Sequence, residues 1–140
     1  KGHYYLYKKK NPFKHLIYPL PSSNGHGIHA GMDIENNLRF GPNAKWVDSI
    51  EYSFDENTLE EFCNSIKSYW INFDPSCLTP DYTGIRSKIV AEGEGSQDFE
   101  ILDASDHGLE NLVHLQGIDS PGLTSSLSIA AEVINKLGIH

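Results

Sequence analysis

The chain has 140 residues, 39% of them apolar, and its 11 basic and 19 acidic side chains give a formal net charge of −8. One domain accounts for that length, and a compact chain of this size buries roughly 68–70% of its unfolded surface, so the composition is that of a folding chain. The acidic balance excludes nucleic acid as a partner, since binding it needs a basic patch and the only basic run is Lys8-Lys9-Lys10.

Cys63 and Cys77 lack metal-ligand spacing and are too few for a disulfide framework, which points to a reducing, cytoplasmic setting. No stretch approaches the ~18 apolar residues of a spanning helix. Peripheral contact with an inner membrane is the variant expected for a full-length protein. Lys1-Gly2-His3 carries neither an initiator Met nor a signal-peptide pattern, so the chain reads as an internal piece of something longer.

In chain order, short strands are expected at Tyr4–Tyr7, His15–Tyr18, Gly27–Ile34 and Leu38–Phe40. Pro19 and Pro21 close the second and open a loop over Ser22–Gly25, and Asn36-Asn37 suits a two-residue hairpin turn. A helix follows, with Asn57 and Glu60 as a capping box and Leu59, Phe62, Cys63, Ile66 and Tyr69/Trp70 on one face, ending before Asp74-Pro75. Further strands are expected at Gly84–Ala91, Phe99–Asp103 and Leu112–Ile118. In the last helix Ser120 is the cap, Pro121 sits in the first turn, and Gly138 is the stop. Leu123, Leu127, Ala130/Ala131, Ile134 and Leu137 form its apolar face. The fold class is α+β, a mostly antiparallel (mixed) β-sheet with flanking helices.

Several segments invite chemistry. Gly25-His26-Gly27-Ile28-His29-Ala30-Gly31 is glycine-rich, but its spacing and its proline-rich approach do not match a dinucleotide loop, which needs a strand before it and a helix after it. His15, His26 and His29 lack supporting Cys or carboxylate ligands, so hydrogen-bonded or surface histidines outrank a zinc site. Gly117-Ile118-Asp119-Ser120-Pro121-Gly122-Leu123-Thr124 resembles a nucleophile elbow with its Ser one place late. A cap hydroxyl already accepts a backbone N–H and is badly placed to attack, which leaves the segment as a helix N-terminus open to an anion or an electron-rich carbonyl. In Asp81-Tyr82-Thr83-Gly84-Ile85-Arg86 the Arg, with hydroxyls beside it, suits the planar recognition of a carboxylate.

Together, Tyr82-Thr83-Gly84-Ile85-Arg86-Ser87-Lys88 and, about thirty residues later, Gly117–Ser126 resemble the C-terminal part of FAD-dependent oxidoreductases of the D-amino-acid oxidase superfamily. The likeness is greatest to the L-2-hydroxyglutarate dehydrogenase/oxidase group. It extends over Lys1–Tyr5, His15–Pro21, Gly27–His29, Phe40–Ala44 and Asp98-Phe99, in the family's order. The resemblance implies FAD as cofactor and oxidation of a small 2-hydroxy acid to its 2-oxo acid by hydride transfer to flavin N5, with oxygen or a quinone as acceptor.

By the same resemblance, Gly117, Ile118, Asp119, Ser120, Pro121, Gly122, Leu123 and Thr124 would contact the flavin, and the positive end of the last helix would face its N1/C2 edge. Arg86 would pair with the substrate carboxylate, Tyr82 and His15 would line the substrate site, and His29 would take the hydroxyl proton, with Tyr82 and His15 as alternatives. Ser87 stands where the family usually has Pro, and Ala30 where a larger residue is common. Residues 1–78 would supply substrate-domain strands and a helix, and 79–140 would close the flavin site. The Rossmann part that holds the rest of FAD would precede Lys1, leaving apolar surface through which the fragment could self-associate. An amino-acid oxidase and a non-catalytic binding module are the competing readings.

Overall fold

The computed structural model describes residues 1–20, 27–95 and 97–139, so the expected Ser22–Gly25 loop and His26 lie outside the described residues. The chain forms two compact units, residues 1–85 and 86–140.

The first unit is built on a four-stranded antiparallel sheet, in the order β2-β3-β1-β4. Its strands are β1 (Gly2–Tyr7), β2 (Ala30–Met32), β3 (Leu38–Phe40) and β4 (Leu78–Gly84). Alternation along β1 sends His3, Tyr5 and Tyr7 into the core and leaves Tyr4 and Leu6 on the other face. Against the core face lies α1 (Leu59–Tyr69), which buries Phe62 and Ile66 as its periodicity requires. Tyr5 meets Phe62 with ring centroids 4.6 Å apart, and Tyr7, Phe40, Trp70 and Phe73 form an aromatic cluster around the far end.

Local chemistry moved several boundaries. A 3-10 turn over Glu56–Thr58, capped by Asp55 whose side chain accepts the Asn57 N–H, precedes α1, and Thr58 stands at the helix N-cap without a side-chain bond, so Asn57 is not the cap. The hairpin between β2 and β3 is a longer loop in which Asp33 Oδ1 accepts the N–H groups of Glu35 and Asn37, and only Asn36 takes a positive φ. Of the expected strand at His15–Tyr18, only an isolated bridge between Ile17 and Ala30 forms. The strand expected at Gly84–Ala91 is displaced upstream. β4 ends at Gly84 because its partner β1 ends opposite it, at Gly2.

The second unit holds the hairpin of β5 (Glu100–Leu102) and β6 (His114–Gln116), α2 (Ala104–His107) and α3 (Ser126–Lys136). A capping box does occur here, between Asp103 and Asp106, at the start of α2. α3 begins at Ser126, after the residues expected to open it, and Ser120 caps nothing. Asp119 O accepts the Gly122 N–H at 2.6 Å and Pro121 O accepts the Ser125 N–H at 3.0 Å. This succession of turns carries Pro121 and Gly122, both poor helix formers, ahead of the helix proper. Nor is Leu123/Leu127/Ile134 the packed face. Leu123 and Leu127 are 90% and 85% exposed, while Ile129, Val133, Lys136 and Leu137 are half-buried. Lys136 bonds Asp103 at 2.8 Å and fixes that orientation.

Candidate functional site

Three of the site residues singled out from sequence, His15, His29 and Tyr82, fall in the first unit, and their surroundings differ. His15 lies in an exposed bend. His29 is half-buried, its ring centroid 4.2 Å from that of Tyr18, and its carbonyl accepts the Gly41 N–H. Tyr82 stacks on Tyr4 at 4.5 Å with the rings nearly parallel.

That stack exists because of a β-bulge. Between the paired positions His3↔Thr83 and Tyr5↔Pro80, β1 has one residue and β4 has two. Asp81 and Tyr82 therefore both oppose Tyr4, and a bulge of this kind re-aims side chains. Tyr82 covers Tyr4, while Asp81 reaches Arg39 Nε at 2.6 Å. Arg39 also bonds Asp33 at 2.5 Å, so one guanidinium ties the β2–β3 loop to β4 across the face opposite α1. The bonds from Asn37 and Arg39 hold the Asp33 carboxyl down at about 2.

The second unit brings Arg86 and Lys88, from the end of the first segment of the resemblance, to the second segment. Asp119, in the turn after β6, accepts Lys88 Nζ at 2.5 Å and lies 3.9 Å from Arg86 Nη1. The Lys88 bond, assisted by the Arg86 charge, holds the Asp119 carboxyl below its usual range. The Arg86 contact is longer than a hydrogen bond, and its side chain is 51% exposed, so the donor fork is largely unspent. Two cations against one carboxylate leave this corner positive. Lys88 was not singled out from sequence, although residues two apart in an extended segment share a side, which is the signal that points to it beside Arg86.

The turn itself is dense. Gly117 has φ +65°, a conformation that favours glycine, and a Cβ there would stand 2.9 Å from Ile89 Cδ1 and push that side chain aside. The cleft between the Ser87–Val90 segment and the turn holds about 20 Å³, room for one water molecule. Any larger ligand meets the exposed side, where Ser120, Leu123 and Thr124 stand. Among the described residues, no hydrogen bond joins the Ser120 hydroxyl to a base, so the pairing that a serine nucleophile needs is missing. No group of three His, Cys, Asp or Glu side chains suitable for a metal occurs among the described residues. Nor is any helix among them long and apolar enough to cross a membrane.

The profile of the FAD-dependent oxidoreductase family, DAO, matches residues 1–136. The chain belongs to this family. Among curated proteins it is 36% identical to the mitochondrial L-2-hydroxyglutarate dehydrogenase of Arabidopsis thaliana over 138 residues, which is 91% of this chain and 29% of that protein. It is 29% identical to the glycerol 3-phosphate oxidase of Mycoplasma genitalium, covering 99% of this chain and 36% of the relative. It is 30% identical to the glycerol 3-phosphate dehydrogenase of Caloramator mitchellensis, covering 98% of this chain and 28% of the relative. The chain thus spans about a third of the length of these relatives.

DAO proteins are FAD-dependent, and the donor chemistry of the Gly117–Thr124 turn fits that cofactor. The bonds that close the turn use the N–H groups of Asp119, Gly122 and Ser125, and those of Ser120, Leu123 and Thr124 are not spent on them. Such donors, beside the surplus charge of Arg86 and Lys88, suit the electron-rich edge of a flavin.

Proposed function

We propose that this chain is the substrate-facing part of an FAD-dependent enzyme that oxidises a small 2-hydroxy acid, of the 2-hydroxyglutarate kind, to its 2-oxo acid. The observation that carries this reading is Arg86, a guanidinium with unspent donors held beside the Gly117–Asp119 turn by a shared carboxylate. Arg86 would bind the substrate carboxylate through its planar fork, and Lys88 would keep Asp119 engaged so that Arg86 is not neutralised. By the family resemblance, Tyr82 would line the substrate site and His29 would take the hydroxyl proton. FAD, when bound, supplies the two-electron acceptor. The N–H groups of the Ser120–Thr124 turn would hold its pyrimidine edge.

The test is steady-state kinetics of the flavin-loaded full-length protein with 2-hydroxyglutarate. Arg86→Lys should lower kcat/KM by about tenfold or more, because an ammonium cannot reproduce the fork. An unchanged kcat/KM would remove Arg86 from the substrate site. A second reading, oxidation of glycerol 3-phosphate, draws support from the two relatives of that name, which match nearly the whole chain. The same protein assayed on both substrates separates the readings, since turnover of glycerol 3-phosphate alone would replace the first with the second.

A further inference from the structure

Where β1 gives way to the next segment, its backbone is tied to the residue that precedes β4: Lys8 N–H donates to Cys77 O at 2.9 Å. Just upstream, Asp74 caps the 3-10 turn Pro75–Cys77 and accepts the Ser76 N–H at 3.1 Å and the Ser76 hydroxyl at 2.7 Å. Its other oxygen, Oδ2, accepts Lys9 Nζ at 2.7 Å and the Cys77 thiol at 3.4 Å. An amine and a thiol thus converge on one oxygen atom. The bond to Asp74 raises the pKa of the Lys9 ammonium. Lys9 is exposed, so the cluster opens to solvent on the amine side even though Cys77 is buried. Neither residue belongs to the proposed substrate or flavin site.

We infer that Lys9 and Cys77 are an oxidative modification site, joined by a sulfur–nitrogen bond when the protein meets hydrogen peroxide. In the first step the Cys77 sulfur attacks one peroxide oxygen and the O–O bond breaks. Sulfur is oxidised to a sulfenic acid, and the departing hydroxide takes the thiol proton to leave as water. In the second step Lys9 Nζ, after releasing its extra proton to solvent, attacks that sulfur. An S–N bond forms, the S–O bond breaks, and a second water leaves. One thiol, one amine and one peroxide give one sulfenamide and two waters, a two-electron oxidation. The product clamps the β1–β4 ladder at the end where Tyr7 pairs with Leu78, and a thiol reductant reverses it.

The test uses the intact chain carrying Cys63→Ser, which removes the other thiol, treated with peroxide and mapped by mass spectrometry without reductant. The expected product is a peptide pair joined through Lys9 and Cys77, lighter by two hydrogens and separated by dithiothreitol. Lys9→Arg keeps the ion pair with Asp74 but should form no link, and there Cys77 sulfenic acid should be trapped by dimedone several-fold more than with Lys9 in place. If Cys77 stays a free thiol in the folded chain, the inference is overturned. It is equally overturned if Cys77 runs to sulfinic acid at the same rate with Lys9 or with Arg at position 9.

Discussion

At the residue scale, the Phe40-Gly41-Pro42-Asn43-Ala44 segment shows how a motif can be structural. Asn43 Oδ1 accepts the His3 N–H at 2.8 Å and lies 3.1 Å from His3 Nδ1, and Asn43 Nδ2 donates to Glu61 at 3.1 Å. Gly41, at φ +137°, lets His3 O and the Tyr4 ring approach closer than any Cβ would allow. The segment thereby latches the start of β1 and seats Tyr4, on which Tyr82 stacks. Both His3 and Asn43 are buried, so removing the acceptor strands polar groups away from water. Asn43→Ala should cost about 1–3 kcal/mol in urea unfolding, and Asn43→Asp, which keeps an acceptor, should cost less. From sequence this run was visible only as a mark of resemblance. Its work depends on a partner forty positions away, which no local pattern contains.

At the scale of elements, the strands and helices that carry strong periodicity lie where that periodicity puts them. β1 and β3 alternate, and α1 buries Phe62 and Ile66. What moved were their ends, because caps and turns depend on one side chain winning a hydrogen bond, as Asp55 does over Asn57 at the 3-10 turn before α1. The Asp33–Arg39–Asp81 bridge acts at this scale too, since it joins strands through side chains. The Asp33 carboxyl falls from 3.8 to about 2 on folding, through bonds from Asn37 first and Arg39 as well. A depressed carboxylate stabilises the fold above its unfolded pKa, and that stability drains as pH falls through the folded value. Thermal unfolding followed from pH 5 to pH 2 should therefore lose stability mainly between about pH 4 and pH 2. Asp33→Asn should flatten that part of the curve, and an equally steep loss in the variant would show that the bridge is not its source.

At the scale of the whole molecule, α3 shows most plainly what sequence leaves open. Its periodicity does mark an apolar stripe, but the stripe does not say what covers it. Lys136 bonds Asp103, and Ile129, Val133 and Leu137 turn inward in place of Leu123 and Leu127. We propose that the exposed stripe is where the isolated chain self-associates. Leu127→Glu should then leave the unfolding free energy within about 0.5 kcal/mol, as for other exposed positions, while reducing concentration-dependent association in sedimentation velocity. Association unaffected by the charge would move that surface elsewhere.

Periodicity and turn signals by themselves pointed to the α+β class, and the resemblance carried by the motif runs pointed to the family, its flavin and the residues worth watching. They could do so because these features are local or recur in fixed order along the chain. Tertiary structure alone decided that Arg86 and Lys88 share Asp119, that a bulge turns Tyr82 onto Tyr4, and that Lys9 and Cys77 meet on Asp74. Each of these joins residues at least thirty positions apart, or depends on a pairing register, and those relations exist only once the backbone has chosen its partners.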